Sequence, residues 1–301
     1  MMGFAADRRS GSGDVAHTFL DELERWVAID TSTTVPALRA ALLGWLRAAQ
    51  AAQPSLALIH QLAARALEVA NAGIAREDTV SLLRNHLVQS CAAERSDLDA
   101  ARAAIAAMAS RLVTERQSWI ATVSHSGAVR EALIHAQRSG LRPRALVAES
   151  RPLLEGRGLA AKLAAADIPV WLVVDATLPL LLSQAHMVWI GADAVTDRGV
   201  LNKVGSYAVA LAAREHSVPL YALAERRKFL PATTGSLRIA EMPPEEVWDQ
   251  PVRGMQARNI YFELVPMELL RGVVVDDRVL GPSEAAAIAR EHELPEELAK
   301  G

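Results

Sequence analysis

Between residues 16 and 116 the apolar positions recur every three or four residues, as in Leu38, Leu42, Trp45, Leu46 and Ala49. That spacing predicts amphipathic helices. Thr33 or Thr34 before Pro36 marks one helix start, because a hydroxyl can cap the first free amides and proline fits the first turn. Pro54–Ser55 opens a second helix running to about Ala72, Glu77–Asp78 a third, and Ser96–Asp97 a fourth that ends near Arg116. After residue 118 the pattern changes. Short apolar runs at Ile120–Val123, Ala145–Ala148, Val170–Val174, Met187–Ile190 and Leu220–Ala222 alternate with helical stretches, among them Leu178–Leu182 and Lys203–Glu215. Ile260–Leu264 and Gly272–Val275 supply two late elements, and a last helix starts at Ser283. Alternation of this kind predicts a parallel sheet covered on both faces. The expected class is therefore α/β, with an N-terminal helical domain (16–116) followed by a Rossmann-like parallel-sheet domain (117–301). Residues 1–15, with Asp7, Arg8 and Arg9 among Gly and Ser, read as a frayed, disordered tail without the apolar core of a signal peptide.

Composition narrows the function. Of 301 residues, 51% are hydrophobic and 22% charged, enough apolar material for a buried core, which excludes a disordered chain. The net charge of −3 provides no basic footprint, so no nucleic-acid partner is expected. The longest apolar stretch, Ile168–Leu182, is interrupted by Pro169, Asp175 and Pro179, so no membrane partner is expected either. A single cysteine, Cys91, excludes an internal disulfide and fits a cytoplasmic location. The histidines lack metal-ligand spacing, and no cofactor is expected.

In an open α/β sheet, ligands bind beyond the carboxyl ends of the strands. That rule selects Ser124–His125–Ser126–Gly127, then Glu149–Ser150–Arg151–Pro152 with Glu155–Gly156–Arg157–Gly158, then Gly191–Ala192–Asp193 and Asn202–Lys203–Val204–Gly205–Ser206. Ser124, Ser126 and Gly127 before a helix suit a phosphate, because free amides and the helix dipole point there. Asp193, Asn202 and Lys203 offer a carboxylate, an amide and an ammonium for proton transfer or for sugar hydroxyls. Each piece also has a plainer reading as a cap or loop-shaping pair. His125 between two serines lacks a nucleophile elbow, so a hydrolase dyad is discounted.

In order along the chain, Ala148–Glu149–Ser150–Arg151–Pro152 with Gly156, Val174–Asp175–Ala176, Gly191–Ala192–Asp193, Asn202–Lys203–Val204–Gly205–Ser206–Tyr207 and Ala224–Glu225 resemble one superfamily. Its members are the alpha, beta and delta regulatory subunits of translation initiation factor 2B, methylthioribose-1-phosphate isomerase and ribose-1,5-bisphosphate isomerase. The resemblance implies a homodimer or higher oligomer. It also implies, for the isomerases, aldose–ketose chemistry by an aspartate, here Asp193, and a cysteine, here replaced by Ser124. A serine hydroxyl is a far weaker acid than a thiol. The isomerases' Arg–Gly–Ala and Arg–Pro–Thr align with Asp30–Thr31–Ser32 and Gln53–Pro54–Ser55, which removes two phosphate arginines. Three functions are expected in this order. The first is a binding protein for a phosphorylated sugar or nucleoside monophosphate, with Ser124, Ser126, Gly127, Arg151 and Arg157 toward phosphate, Asp193, Asn202 and Lys203 toward sugar hydroxyls, and Glu149 as a further ligand-binding residue. The second is a sugar 1-phosphate isomerase with Asp193 and Ser124 catalytic. The third is a non-catalytic assembly subunit.

Overall fold

The computed structural model describes residues 3–235, 237–250 and 252–299. Five helices lead: α1 (Gly3–Ala6), α2 (Ser12–Ile29), α3 (Val35–Ala52), α4 (Ala57–Ala75) and α5 (Val80–Ser110). Strands and helices then alternate: β1 (Trp119–Thr122), α6 (Gly127–Arg138), β2 (Arg144–Ala148), α7 (Glu155–Ala164), β3 (Val170–Val173), α8 (Leu178–Leu181) and β4 (Met187–Ile190). There follow β5 (Ala194–Val195), β6 (Gly199–Lys203), α9 (Ser206–Glu215), β7 (Leu220–Leu223), β8 (Phe262–Pro266), β9 (Gly272–Val274), β10 (Val279–Leu280), α10 (Pro282–Glu291) and α11 (Glu296–Ala299).

The helical layer follows from its stripes. Val15, Phe19, Leu20, Leu23 and Val27 of α2 meet Leu38, Leu42 and Leu46 of α3 and Leu58, Leu62 and Leu67 of α4 in one core. Thr34 caps α3 by accepting the Ala37 amide at 3.3 Å, where the sequence places a start. Two expectations fail here. The third and fourth helices are one continuous helix, α5, about 46 Å long at 1.5 Å per residue. No Gly or Pro interrupts residues 80–110, and Asp97 turns outward to pair with Arg227 at 2.9 Å instead of capping a new helix. The first half of α5 buries Leu83, Leu87 and Leu98 in the helical core, and its second half buries Ile105 and Ala109 against the sheet. The packing therefore has no boundary at residue 116.

The second failure is the frayed tail. Met1 and Met2 lie outside the described residues, but residues 3–15 are anchored to the fold through buried Phe4, Ser12 and Val15. Phe4 is wholly buried, its ring 5.5 Å from Phe19 and 6.2 Å from Trp45. Gln53 Nε2 donates to the carbonyls of Phe4 (2.8 Å) and Asp7 (3.0 Å), and α2 begins at Ser12. One aromatic anchor beyond a polar stretch, with its partners 15 and 41 positions away, leaves no local periodicity to read.

The main sheet has the order β10-β9-β7-β4-β1-β2-β3, parallel except for β10. Connections run outward in both directions from β1 and β4, so the strand order reverses between them. That is the topological switch point at which a crevice opens beyond the strand ends. A second sheet, β5-β6-β8, is antiparallel. It corrects the expected helix start at Lys203, which is the last residue of β6 and pairs with Phe262 of β8. A pairing between strands so far apart leaves no local signature.

Phe4→Ala is expected to cost about 3 kcal/mol in urea unfolding, within the range for emptying a buried aromatic site. An unchanged midpoint would mean that the first residues do not contribute to the fold.

Candidate functional site

The loops beyond β1, β2 and β3 are laced by hydrogen bonds. The Asp175 carboxylate accepts the amides of Ser150 and Arg151, each at 2.7 Å. Ser150 Oγ in turn accepts the Ser124 amide at 2.8 Å. Ser124 and Ser150 both hold left-handed backbone (φ 68° and 65°), a conformation that costs a non-glycine residue energy and persists where neighbours enforce it. Ser126 caps α6 with its hydroxyl. Gly156, the second residue of α7, lies so close to β2 that an added Cβ would stand 1.8 Å from the Ala148 carbonyl oxygen, so this position admits only glycine. The close approach aims Glu155 inward.

On the other side of the switch point, Gly191–Ala192–Asp193 carries the chain from the main sheet into the small one. The Asp193 amide donates to the Leu201 carbonyl at 2.8 Å, and its carbonyl accepts the Ala57 amide at the start of α4 at 2.9 Å. Gly191 leaves room for Ser126, whose Cβ and Oγ would lie 2.7 Å from a side chain there. Asn202 is held by its amide donating to Ser206 Oγ at 2.9 Å.

These elements enclose a cavity of about 440 Å³, roofed by residues 7–15 and walled by Gln53–Leu56, Arg102, Tyr261 and Phe262. Its size is ordinary for a small-molecule site. Its floor is ionic and almost inaccessible to solvent. Lys203 Nζ lies 2.5 Å from Glu155 Oε1 and 4.5 Å from the centre of the Tyr261 ring. Lys228 Nζ lies 2.7 Å from Glu225 Oε2. Burial works to raise the Glu225 pKa, but Lys228 outweighs it and holds the carboxyl below the usual range. Asp193 is the odd carboxyl beside two formed pairs. Burial pushes its pKa up to about 6, against the pull of Lys228, the Ser12 hydroxyl and Lys203. A carboxyl so placed exchanges a proton near neutral pH.

Six of the residues selected from sequence meet in this cavity: Ser124, Ser126, Gly127, Asp193, Asn202 and Lys203. Three do not line it. Glu149 and Arg157 pair with each other at 2.7 Å, Arg157 reaching solvent, and Arg151 donates to the Val247 carbonyl at 3.2 Å. Asp30–Thr31–Ser32 is also elsewhere. It follows the far end of α2, where Arg84 holds the Asp30 and Ser32 carbonyls at 2.8 and 3.0 Å. Arg8, Arg9, Ser10, Gly11 and Ser12 line the cavity instead, and Gln53–Pro54–Ser55 lines it as the alignment implies. The site is thus not short of arginines. His125 contributes no hydrolase dyad. Burial and the nearby Lys162 and Arg130 lower its pKa to about 4, and its Nε2 faces Lys162 Nζ at 3.4 Å. Cys91 sits in the helical core, with its thiol pushed up to about 12 chiefly by burial, so it cannot replace a reactive thiol. Among the described residues, no group of three or more His, Cys, Asp and Glu is placed to hold a metal ion.

The ends-of-strands rule selects the segment of Glu155, which also lines the cavity, but sequence reasoning missed Lys228, Tyr261 and Arg102. For Arg102 a signal existed. It falls on the stripe Leu98, Arg102, Ile105, Ala109, a charge among positions that are otherwise buried and apolar.

The model of the initiation factor 2 subunit family matches residues 8–282. The chain belongs to that family. A translation initiation factor eIF-2B subunit 2-like protein of Pyrococcus furiosus is 33% identical over 184 residues, covering 60% of this chain and 64% of the relative. A ribose 1,5-bisphosphate isomerase of Archaeoglobus fulgidus is 31% identical over 180 residues, covering 57% and 56%. The alignments thus span less than two thirds of either relative. The crystal structure of the translation initiation factor eIF-2B of Pyrococcus horikoshii OT3 superposes with a TM-score of 0.79. It covers 93% of this chain and 94% of that one at 24% identity, a likeness of fold.

The Asp193 carboxyl yields a pH prediction. Its folded-state pKa lies above the unfolded value of 3.8, so the folded chain keeps a proton that the unfolded chain has released. Stability contributed by this group therefore falls as pH rises from about 4 to about 6, then levels off. Asp193→Asn should stabilise the fold at pH 8 by about 3 kcal/mol and by much less at pH 4.5. Urea unfolding at both pH values checks this. An equal effect at both would show that the carboxyl is not perturbed.

Proposed function

We propose that this member of the initiation factor 2 subunit family binds a phosphorylated sugar or nucleoside monophosphate in the switch-point cavity. One observation carries the reading: a small-molecule cavity that combines an ionic floor of Asp193, Asn202 and the paired Lys203 and Lys228 with the starts of α2 and α6. The floor groups can bind sugar hydroxyls. Helix N-termini favour a phosphate because their first amides have no carbonyl behind them. Phosphorus NMR and thermal unfolding with ribose 1,5-bisphosphate, methylthioribose 1-phosphate, ribose 5-phosphate and AMP test it. At least one compound should stabilise the protein, by about 2.7 kcal/mol when present at a hundred times its dissociation constant. No shift with any of the four would remove the reading for these ligands and leave an assembly subunit in front.

A second reading, aldose–ketose isomerisation of a sugar 1-phosphate, is favoured by Asp193 specifically. Such a reaction removes a proton from one carbon and returns one to its neighbour, which calls for an acid/base group poised near neutrality. Ser124 is the weaker half of that scheme. Its hydroxyl donates to Glu155 Oε1 at a long 3.4 Å, and Glu155 is already committed to Lys203. If the second reading holds, a ketose phosphate resonance appears in the same NMR experiment and Asp193→Asn abolishes it while the fold persists.

The reading includes a homodimer. Edge strand β3 and the segment after it expose Trp171, Leu172, Val174 and Leu180 to solvent. An open parallel edge with apolar side chains on both faces favours association. Light scattering should give twice the chain mass for the wild type and a single chain mass for Leu180→Glu with Trp171→Glu. A monomeric wild type would end the dimer reading.

A further inference from the structure

The phosphorylated-ligand reading leaves open which cation meets the phosphate. Of the six described Lys and Arg residues lining the cavity, three are held in ion pairs with glutamates and two are exposed. Lys203 is paired with Glu155, Lys228 with Glu225, and Arg8 with Glu246 at 3.1 Å, while Arg9 and Arg238 stand exposed. Arg102 differs. Its side chain is 14% exposed, and its Nε is buried with no hydrogen-bond partner. Its ion pair with Asp14 is long, 3.4 Å from Nη1 to Oδ1, and the Asp14 side chain is 40% exposed.

The guanidinium lies where two helix starts meet. A Cβ on Gly13 would stand 2.2 Å from Arg102 Nη2, and one on Gly127 would stand 3.6 Å from its Cζ. Gly13 has no left-handed backbone to explain it, so its role is to make room for the arginine. In the first turn of α2, Asp14 and Val15 donate to the Gly11 carbonyl. In the first turn of α6, Val129 donates to Ser126 Oγ and Arg130 to the Ser126 carbonyl. The amides of Ser12, Gly13, Gly127 and Ala128 have no intrahelical carbonyl behind them. All four residues line the cavity with Arg102.

We infer that Arg102 grips the ligand's phosphate between the starts of α2 and α6, and so makes the site selective for phosphate esters over the free sugar or nucleoside. This inference rests on the phosphorylated-ligand reading. A guanidinium offers a planar fork that matches two phosphate oxygens, and the helix amides serve the others. The phosphate then displaces Asp14 from Arg102. Because α2 and α5 belong to the helical layer and α6 covers the sheet, one anion ties the two halves of the molecule together. This is the contribution that an arginine on an apolar helical stripe makes in return for its desolvation.

The test follows thermal unfolding of the wild type, Arg102→Met and Arg102→Lys in rising inorganic phosphate at constant ionic strength, with AMP and adenosine as a second pair of probes. The wild type should be stabilised saturably by phosphate and by AMP, and less by adenosine. Arg102→Met should need roughly tenfold to hundredfold more phosphate or AMP for the same stabilisation, the loss of a charge-assisted contact, with adenosine unaffected. Arg102→Lys should fall between, since it keeps the charge and loses the fork. If Arg102→Met does not fold, Arg102→Lys and Gly13→Ala, which displaces the guanidinium, read the same shift. Unchanged phosphate and AMP dependence in these variants overturns the role of Arg102 and leaves the proposed function standing. A wild type indifferent to inorganic phosphate and AMP overturns the inference, and the reading beneath it falls as well only if the three sugar phosphates also fail to stabilise the protein.

Discussion

The polar interior of this protein is organised by one constraint: a carboxyl must be held almost without water beyond the end of β4, at the place where the strand order reverses. Asp193 is there because Gly191–Ala192–Asp193 must leave the main sheet and enter the small one at that point. Two neighbouring carboxylates, Glu155 and Glu225, each take one of the two lysines on the floor. A buried carboxyl without a dedicated cation adapts by holding its proton, so its affinity for that proton is the quantity the surroundings control. The left-handed turns at Ser124 and Ser150 and the glycine at Gly156 place the groups around that carboxyl.

The helical layer is part of the site. Its first residues roof the cavity, its helix α4 meets the Asp193 carbonyl, and α5 passes from one core into the other. A shared helix couples the two layers mechanically, because side chains on one continuous stripe cannot shift in one core without moving in the other. The cavity between them is therefore formed by long-range packing. Phe4 shows the same dependence from the other end of the chain, since a single aromatic ring anchors the strap that carries Arg8 to Ser12 over the opening.

Relatives of this chain include proteins described as initiation factor subunits and proteins described as isomerases. The site keeps a carboxyl near neutrality and an Asn–Lys pair, yet it carries a hydroxyl at Ser124, and the thiol of Cys91 is remote and unreactive.

The α/β class, the parallel sheet and the loops carrying Ser124, Ser126, Gly127, Asp193, Asn202 and Lys203 were legible in the sequence. Strand alternation and the ends-of-strands rule are local signals, and these loops follow their strands directly. The small antiparallel sheet, the continuity of α5 and the packed N-terminal strap were decided by tertiary structure. The same is true of the separation of Glu149, Arg151 and Arg157 from the cavity. Those features depend on partners distant along the chain. Phe262 sets the strand character of Lys203, Phe19 and Trp45 order Phe4, and Val247 engages Arg151. A sequence states which side chains leave a strand together, but only the closed fold determines which of them share one solvent-poor volume, because burial and charge pairing are properties of that volume.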